Sequence, residues 1–279
     1  MQASGLFTTG NTVAVGDIIT LGNGAGDSVD AYVSKYDTIT VGNGAGDSVS
    51  ANYSNNDIIT LGHGAGDSVF AGRSSDDMIT LGNGAGDSVR ATDEVTTGNT
   101  IIVGNGAGDT VFIGLASLNT IKVGNGNSDV VNIESASSNT ITVGNGNGDV
   151  VNVSGGGNTI TVGNGNGDVV NDSVGGNTIT VSNGNDTVYV GKGDTVTVGT
   201  GQDGFVFAQT AVGNIGAVTI NHFNPSKDLI TFSSQLTTAV SYHDNSQGNA
   251  VVTVDISGDT ITLVGVHSSA LHASDFHFA

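Results

Sequence analysis

The sequence predicts an all-β fold: a parallel β-solenoid, or β-roll, of about 20-residue coils closed by a C-terminal β-rich cap. Three observations predict it: a 20-residue repeat, a strand-like alternation inside each half repeat, and an unusual composition. The chain has 45 Gly, one Pro and no Cys in 279 residues. Glycine lies far above the usual share of roughly 7% and charged residues well below about 25%. The apolar residues are mostly small or β-branched, which suits a thin core between two sheets.

The repeat begins at Asp17 and restarts at Asp37, Asp57 and Asp77, so the period is 20 residues. Each copy splits into halves that open on Asp, and Asp27, Asp47, Asp67 and Asp87 open the second halves. After a two-residue insertion in 91–98 the rhythm resumes. Asn99, Asp109, Asn119, Asp129, Asn139, Asp149, Asn158, Asp168, Asn177, Asp186, Asp194 and Asp203 open the later halves. A period of this length is the signature of stacked repeats.

Inside each half, residues alternate with period two. Ile39 and Val41 fall on one face, Thr38 and Thr40 on the other, which is a half-buried strand. The inward pair recurs as Ile19/Leu21, Ile59/Leu61, Ile101/Val103 and onward to Ile179/Val181. The other half gives Val29/Ala31, Val49/Ala51, Val111/Ile113 and Val151/Val153, until Asp172 interrupts the series. Each coil therefore supplies two strands, and stacking about 4.8 Å apart builds two parallel sheets. Three regions result: a lead-in at 1–16, the solenoid at 17–207 and the β cap at 208–279. Six of the nine Phe and five of the six His lie from Phe205 onward, consistent with a cap around a small aromatic core.

The two edges of the coil differ. One is variable: YVSKY, NYSNN, GRSSD, TDEVTTG. Its openers Asp37, Asp57 and Asp77 yield to Asn without breaking the rhythm, and turn formation explains them. The other edge is nearly constant: GNGAGD at 22–27, 42–47, 82–87 and 104–109, GHGAGD at 62–67, GNGNSD at 124–129, and GNGNGD at 144–149 and 163–168. Equivalent turns stack, so Asp27, Asp47, Asp67, Asp87, Asp109, Asp129, Asp149 and Asp168 form one column, continued by Asp186 and Asp203. Carboxylates about 5 Å apart repel by roughly 0.8 kcal/mol per neighbour in water and about 3 kcal/mol at an effective dielectric of 20. A divalent cation between turns removes that cost. Calcium suits the donors, because it mixes carboxylates with backbone carbonyls. The expected ligating turns pair each Asp with its glycines: Gly22, Gly24; Gly42, Gly44; Gly62, Gly64; Gly82, Gly84; Gly104, Gly106; Gly124, Gly126; Gly144, Gly146; Gly163, Gly165; then Asn183, and Gly199, Gly201. These glycines are expected to take positive φ and aim carbonyls inward. Asn23, Asn43, Asn83 and Asn105 repeat in the same column and suggest an amide ladder.

The net charge of −20 excludes nucleic acid and anionic membrane surfaces as partners. No stretch approaches 18 consecutive apolar residues, and the N-terminus lacks the basic and apolar regions of a Sec signal peptide. No H-E-x-x-H, G-x-S-x-G or P-loop occurs, so catalysis is not expected. The irregular spacing of His222, His243, His267, His272 and His277 does not suggest a metal site.

The turns resemble the RTX, or haemolysin-type, calcium-binding repeat G-G-x-G-x-D-x-U-x. VSNGNDTVYV at 181–190 and VGTGQDGFVF at 198–207 are the nearest matches; GNGAGDSV departs at Asn23 and Ala25. The segments 219–234 and 259–279 look like the C-terminal ends of RTX-like exoproteins. The resemblance implies calcium as cofactor, export by type I secretion machinery to the outside of the cell or its surface, and folding coupled to calcium there. Two alternatives remain at this level. One is an ice-binding solenoid using outward Thr pairs such as Thr38/Thr40, Thr140/Thr142 and Thr178/Thr180, an array interrupted at Ile18, Ile58, Met78, Ile102 and Lys122. The other is an adhesive or self-assembling module using outward Phe70, Arg90, Phe112, Val130, Val150 and Val169, or the strand edges of the first coil.

Overall fold

The computed structural model describes residues 6–8, 15–92, 97–208, 215–233, 239–254 and 259–279. Most of the lead-in at 1–16 and the centre of the insertion at 91–98 lie outside these residues. The chain forms two compact units, Met1–Gly146 and Asn147–Ala279. Each is a β-solenoid of two sheets whose strands come alternately from the two halves of the coil.

In the first unit one sheet runs through Leu6–Thr8, Ser28–Asp30, Ser48–Ser50, Ser68–Phe70, Ser88–Ala91, Thr110–Ile113 and Val130–Ile133. The other runs through Ile18–Thr20, Thr38–Thr40, Ile58–Thr60, Met78–Thr80, Thr100–Val103, Thr120–Val123 and Thr140–Val143. All pairs are parallel and join equivalent residues: Ile39 with Ile59, Val49 with Val69, Ile121 with Ile141. The insertion at 91–98 leaves this register intact, since Ile79 still pairs with Ile101 and Val89 with Val111. The extra length is confined to the turn.

The core is as the alternation requires. Ile39, Val49, Ile59, Val69, Ile101, Val111 and Ile121 are all 0–1% exposed. The outward residues between them stay partly or fully exposed, and Arg90 places its guanidinium over the Phe112 ring at 5.0 Å. Burying a side chain of this size contributes about 1.5–3 kcal/mol. One aliphatic ladder repeated coil after coil therefore holds the two sheets together without any thick core.

In the second unit the parallel pattern continues beyond Phe207. Gly204–Phe207 pairs with Leu229–Phe232, which pairs with Phe276–Phe278. On the other sheet Thr195–Val198 pairs with Ala217–Asn221, and that with Asp259–Val264. Among the described residues only Ala250–Val254 and Val240–Asp244 are added antiparallel. Here the aliphatic core turns aromatic: Phe207 stacks on Phe232 at 5.3 Å, Phe232 on Phe278 at 5.9 Å, and Tyr242 on Phe276 at 5.7 Å. The only helical turns among the described residues are the 3₁₀ turns Ser268–Ala270 and Ala273–Asp275. Among the described residues no helix is long and apolar enough to cross a membrane.

Candidate metal-binding seam

Most corners of the coil are built the same way, those before Asp186, Asp203 and Asp228 being exceptions. A residue in the left-handed region ends the turn, an Asp or Asn follows, and the strand begins. On the constant edge the left-handed residue is Gly26, Gly46, Gly66, Gly86, Gly108, Gly148 or Gly167, with φ between 72° and 78°. Ser128, at φ 62°, occupies the same place in GNGNSD. On the variable edge Tyr36, Asn56, Asp76, Leu118 and Ser138 do so at φ 58–63°. The reversal turns the next side chain into the coil, which buries the Asp that follows.

The buried Asp column is a ladder. Each Oδ1 accepts the backbone N–H of the Asp one coil earlier. In the first unit the bonds run from Asp27 to Asp47 (2.8 Å), Asp47 to Asp67 (3.0 Å), Asp67 to Asp87 (3.0 Å), Asp87 to Asp109 (2.9 Å) and Asp109 to Asp129 (2.9 Å). In the second they run from Asp149 to Asp168 (2.9 Å), Asp168 to Asp186 (3.0 Å), Asp186 to Asp203 (3.2 Å) and Asp203 to Asp228 (3.0 Å). Asp228 is a member that sequence reasoning missed. It sits 25 residues after Asp203, beyond any earlier spacing, although Leu229–Phe232 after it alternates as the other strands do. Its Oδ2 accepts the Asn224 N–H at 2.7 Å, which closes the column.

The second carboxylate oxygens decide the chemistry. The Oδ2 atoms of Asp47, Asp67, Asp87, Asp109, Asp168, Asp186 and Asp203 are buried and have no hydrogen-bond partner. Leaving a buried polar atom unsatisfied costs about 1–3 kcal/mol, and more when it is charged. On the variable edge the Oδ2 atoms of Asp37 and Asp77 are left in the same state, and from Asn99 onward amides solve the problem. Asn99 donates its Nδ2 to the Ser74 carbonyl at 3.3 Å, Asn139 to that of Ala116 at 3.2 Å, and Asn177 to that of Gly155 at 3.0 Å. The constant edge never makes that exchange, so its oxygens await a proton or a cation. Burial raises the carboxyls of Asp47, Asp67, Asp87, Asp109 and Asp168 above the ordinary carboxylate range, against the backbone N–H donors that lower them. Asp203 is pushed to about 6, and Asp186 to about 7, where neighbouring Asp168 and Asp203 add to the burial.

The glycines assigned to the turns act differently from the expectation. Gly22, Gly24 and their equivalents do not adopt positive φ; that role belongs to Gly26 and its series. They are glycine because the coils touch there. The N–H groups of Gly42, Gly62, Gly82, Gly124 and Gly144 donate to the carbonyl of the equivalent glycine one coil earlier, at 3.0–3.1 Å. A Cβ on Gly44, Gly64, Gly84, Gly106 or Gly126 would fall onto the carbonyl oxygen of the glycine one coil earlier. In the second unit the same holds for Gly184 over Gly165, and for Gly201 over Gly184. The turn also wraps its own carboxylate: a Cβ on Gly24 would lie 3.1 Å from Asp27 Oδ1. The same turns thus carry the buried Oδ2 atoms of Asp47, Asp67, Asp87, Asp109, Asp168, Asp186 and Asp203 and a row of closely stacked glycines.

Asn183 lies outside that seam. It belongs to an exposed ladder in which a side-chain oxygen accepts the next coil's backbone N–H: Asn23 from Asn43, Asn43 from His63, Asn105 from Asn125, and Asn183 from Thr200, each at 2.9 Å. His63 serves the same role through Nδ1, accepting the Asn83 N–H at 3.0 Å. Gly146 and Gly163 lie between strands, and Gly199 donates to the Ser182 carbonyl at 3.1 Å.

On the variable edge Asp37, Asp57 and Asp77 form a ladder of the same kind, and the Ser54 hydroxyl donates to Asp57 Oδ2. Asp172, unexplained from sequence, builds a shortened corner: its Oδ1 accepts the N–H groups of Val174 (3.0 Å) and Gly175 (2.8 Å), and its Oδ2 accepts the Asn177 amide. Burial, followed by the charge of Asp172, pushes Asp194 to about 7. Among the described residues no three His, Asp or Glu side chains converge as a metal-binding cluster, the C-terminal histidines included. A cation in the seam would draw its remaining ligands from backbone oxygen and water, the mixed oxygen shell that calcium accepts and zinc does not. No protein-family model matches the chain, and no curated protein matches it.

Proposed function

We propose that this chain is a secreted, non-catalytic calcium-binding solenoid whose constant edge takes calcium between successive coils, as the resemblance to RTX repeats implies. The observation that carries this reading is the row of buried, unpartnered Oδ2 atoms at Asp47, Asp67, Asp87, Asp109, Asp168, Asp186 and Asp203. Calcium bound there supplies positive charge that satisfies these oxygens and screens them from one another. The residues of the chain do the rest. Oδ1 holds each carboxylate in place through the ladder, the left-handed residue that precedes most of them turns the side chain inward, and the bare glycines let successive coils approach closely. A site assembled from two coils exists only when the coils are stacked, so binding and folding are one event. Millimolar calcium outside a cell and its scarcity inside would then confine folding to the exterior, which suits export of an unfolded chain by a type I system.

The test is a calcium titration of the chelated protein followed by far-ultraviolet circular dichroism and thermal denaturation, with magnesium as control. Calcium should raise the β signal and the melting temperature, and magnesium should do so far less, because it keeps its waters and demands a tight octahedron. Asp87→Asn keeps the ladder oxygen and removes the cation ligand, so it should diminish the calcium-dependent increment without lowering stability in chelator. Identical spectra and melting temperatures in calcium and in chelator would refute the proposal.

A further inference from the structure

The outward face of one sheet in the second unit is unlike the rest of the molecule. Two columns of threonine run across its strands in strict register. One is Thr159, Thr178, Thr195, Thr219 and Thr262; the other is Thr161, Thr180 and Thr197. Neighbours in a column are about 4.8 Å apart, and the two threonines on a strand about 6.7 Å apart. The shortening of the coils is absorbed in the turns, so the array does not slip. No outward position of these five strands is charged, in a chain whose net charge is −20. Among the described residues the hydroxyls of Thr159, Thr161, Thr178, Thr180 and Thr195 make no side-chain hydrogen bond to the protein, whereas Thr197 accepts one from Asn221 at 3.1 Å. The corresponding face of the first unit is broken by Ile18, Ile58, Met78, Ile102 and Lys122.

We propose that this threonine face binds ice. Each side chain offers one hydroxyl and one methyl at a lattice point of a regular two-dimensional net. The hydroxyls hold water at fixed positions, and the methyls confine that water laterally. The two repeat distances lie close to those between oxygens on the prism face of ice, so the ordered layer can merge with a crystal. A protein or glycan partner would draw on charge, aromatic rings or relief, and this face offers none. A uniform, uncharged, hydroxylated net matches a uniform, uncharged lattice of water.

The inference stands apart from the calcium reading. It needs only a folded second unit, so the assay is run on full-length protein shown to be folded by circular dichroism in the same buffer. Single ice crystals are grown by nanolitre osmometry, comparing wild type, Thr180→Tyr, Thr161→Lys and Val174→Tyr. Val174 lies on the variable edge and is 51% exposed, so its substitution controls for added surface bulk. Wild type and Val174→Tyr should facet the crystal and separate its freezing and melting points. Both threonine variants should shrink that gap several-fold while keeping the wild-type spectrum. Round crystals with coincident freezing and melting points in folded wild type would overturn the inference, and so would an undiminished gap in both threonine variants.

Discussion

Burial sets the proton affinity of the carboxyls inside the coils, and this gives stability a definite pH dependence. Asp77, Asp186 and Asp194 are raised from 3.8 to about 7, and Asp203 to about 6, with desolvation as the leading cause in each. The folded state therefore keeps protons that the unfolded chain gives up near 3.8. Their contribution to stability is complete below that value and is lost as pH rises through about 7. In chelator the melting temperature should fall as pH is raised from about 4 to 8. On the proposed function calcium would take the place of the proton on the constant edge and should flatten the fall. Melting curves across that range with and without calcium check this, and a melting temperature that climbs with pH in chelator would contradict the assignment.

Glycine positions separate two physical causes at the same scale. Gly46 has φ 73° and open space where a Cβ would go, so Gly46→Ala should cost only the left-handed conformation, roughly 1–2 kcal/mol. Ser128 tolerates the equivalent site. Gly64 has no special dihedral, but its Cβ would meet backbone oxygen, and Gly64→Ala must push two coils apart. It should be the more damaging of the two by urea denaturation. Equal midpoints for the two variants would show that coil contact is not what selects glycine in the turn.

At the scale of the element, the strands were legible because their signal is local. Ile39 and Val41 alternate with Thr38 and Thr40, and all four face as that alternation requires. The buried Asp column was legible as a column, since spacing alone aligns it. Its internal chemistry was not. That Oδ1 accepts a neighbouring N–H while Oδ2 is left over depends on the left-handed residue before the Asp, and tyrosine, leucine and serine at Tyr36, Leu118 and Ser128 give no hint of that conformation. Asp228 escaped because a longer connection breaks the spacing, and Asp172 because its partners Val174, Gly175 and Asn177 lie in its own turn rather than one coil away. Sequence also assigned dihedral freedom to Gly22, Gly24 and their equivalents, which the fold uses for close approach, as at Gly44, while the positive φ falls at Gly26 and its series.

At the scale of the whole chain, a net charge of −20 with only 6 basic residues leaves self-repulsion largely unanswered from within. The ladders place much of that charge in buried rows, where screening by salt is weak. On the proposed function, the chain without calcium is held apart by its own carboxylates and the chain with calcium is drawn together by them. The same residues would then keep the protein extended before export and compact after it.

The one-to-one register of the early coils has a further consequence for how such a chain tolerates change in length. Ile39 meets Ile19 below and Ile59 above, and Asp37 hands its N–H to Asp57 as Asp17 does to Asp37. Excising residues 37–56 would join Tyr36 to Asp57 and present every remaining group with a neighbour of the same kind. The shortened protein should fold with an unchanged β spectrum and nearly the parent's urea midpoint, whereas excising ten residues, 37–46, should not, because it sets each half-coil against its opposite. Genes of this kind can therefore lengthen or contract by whole multiples of one coil, with unequal recombination as the instrument and the fold as the gauge.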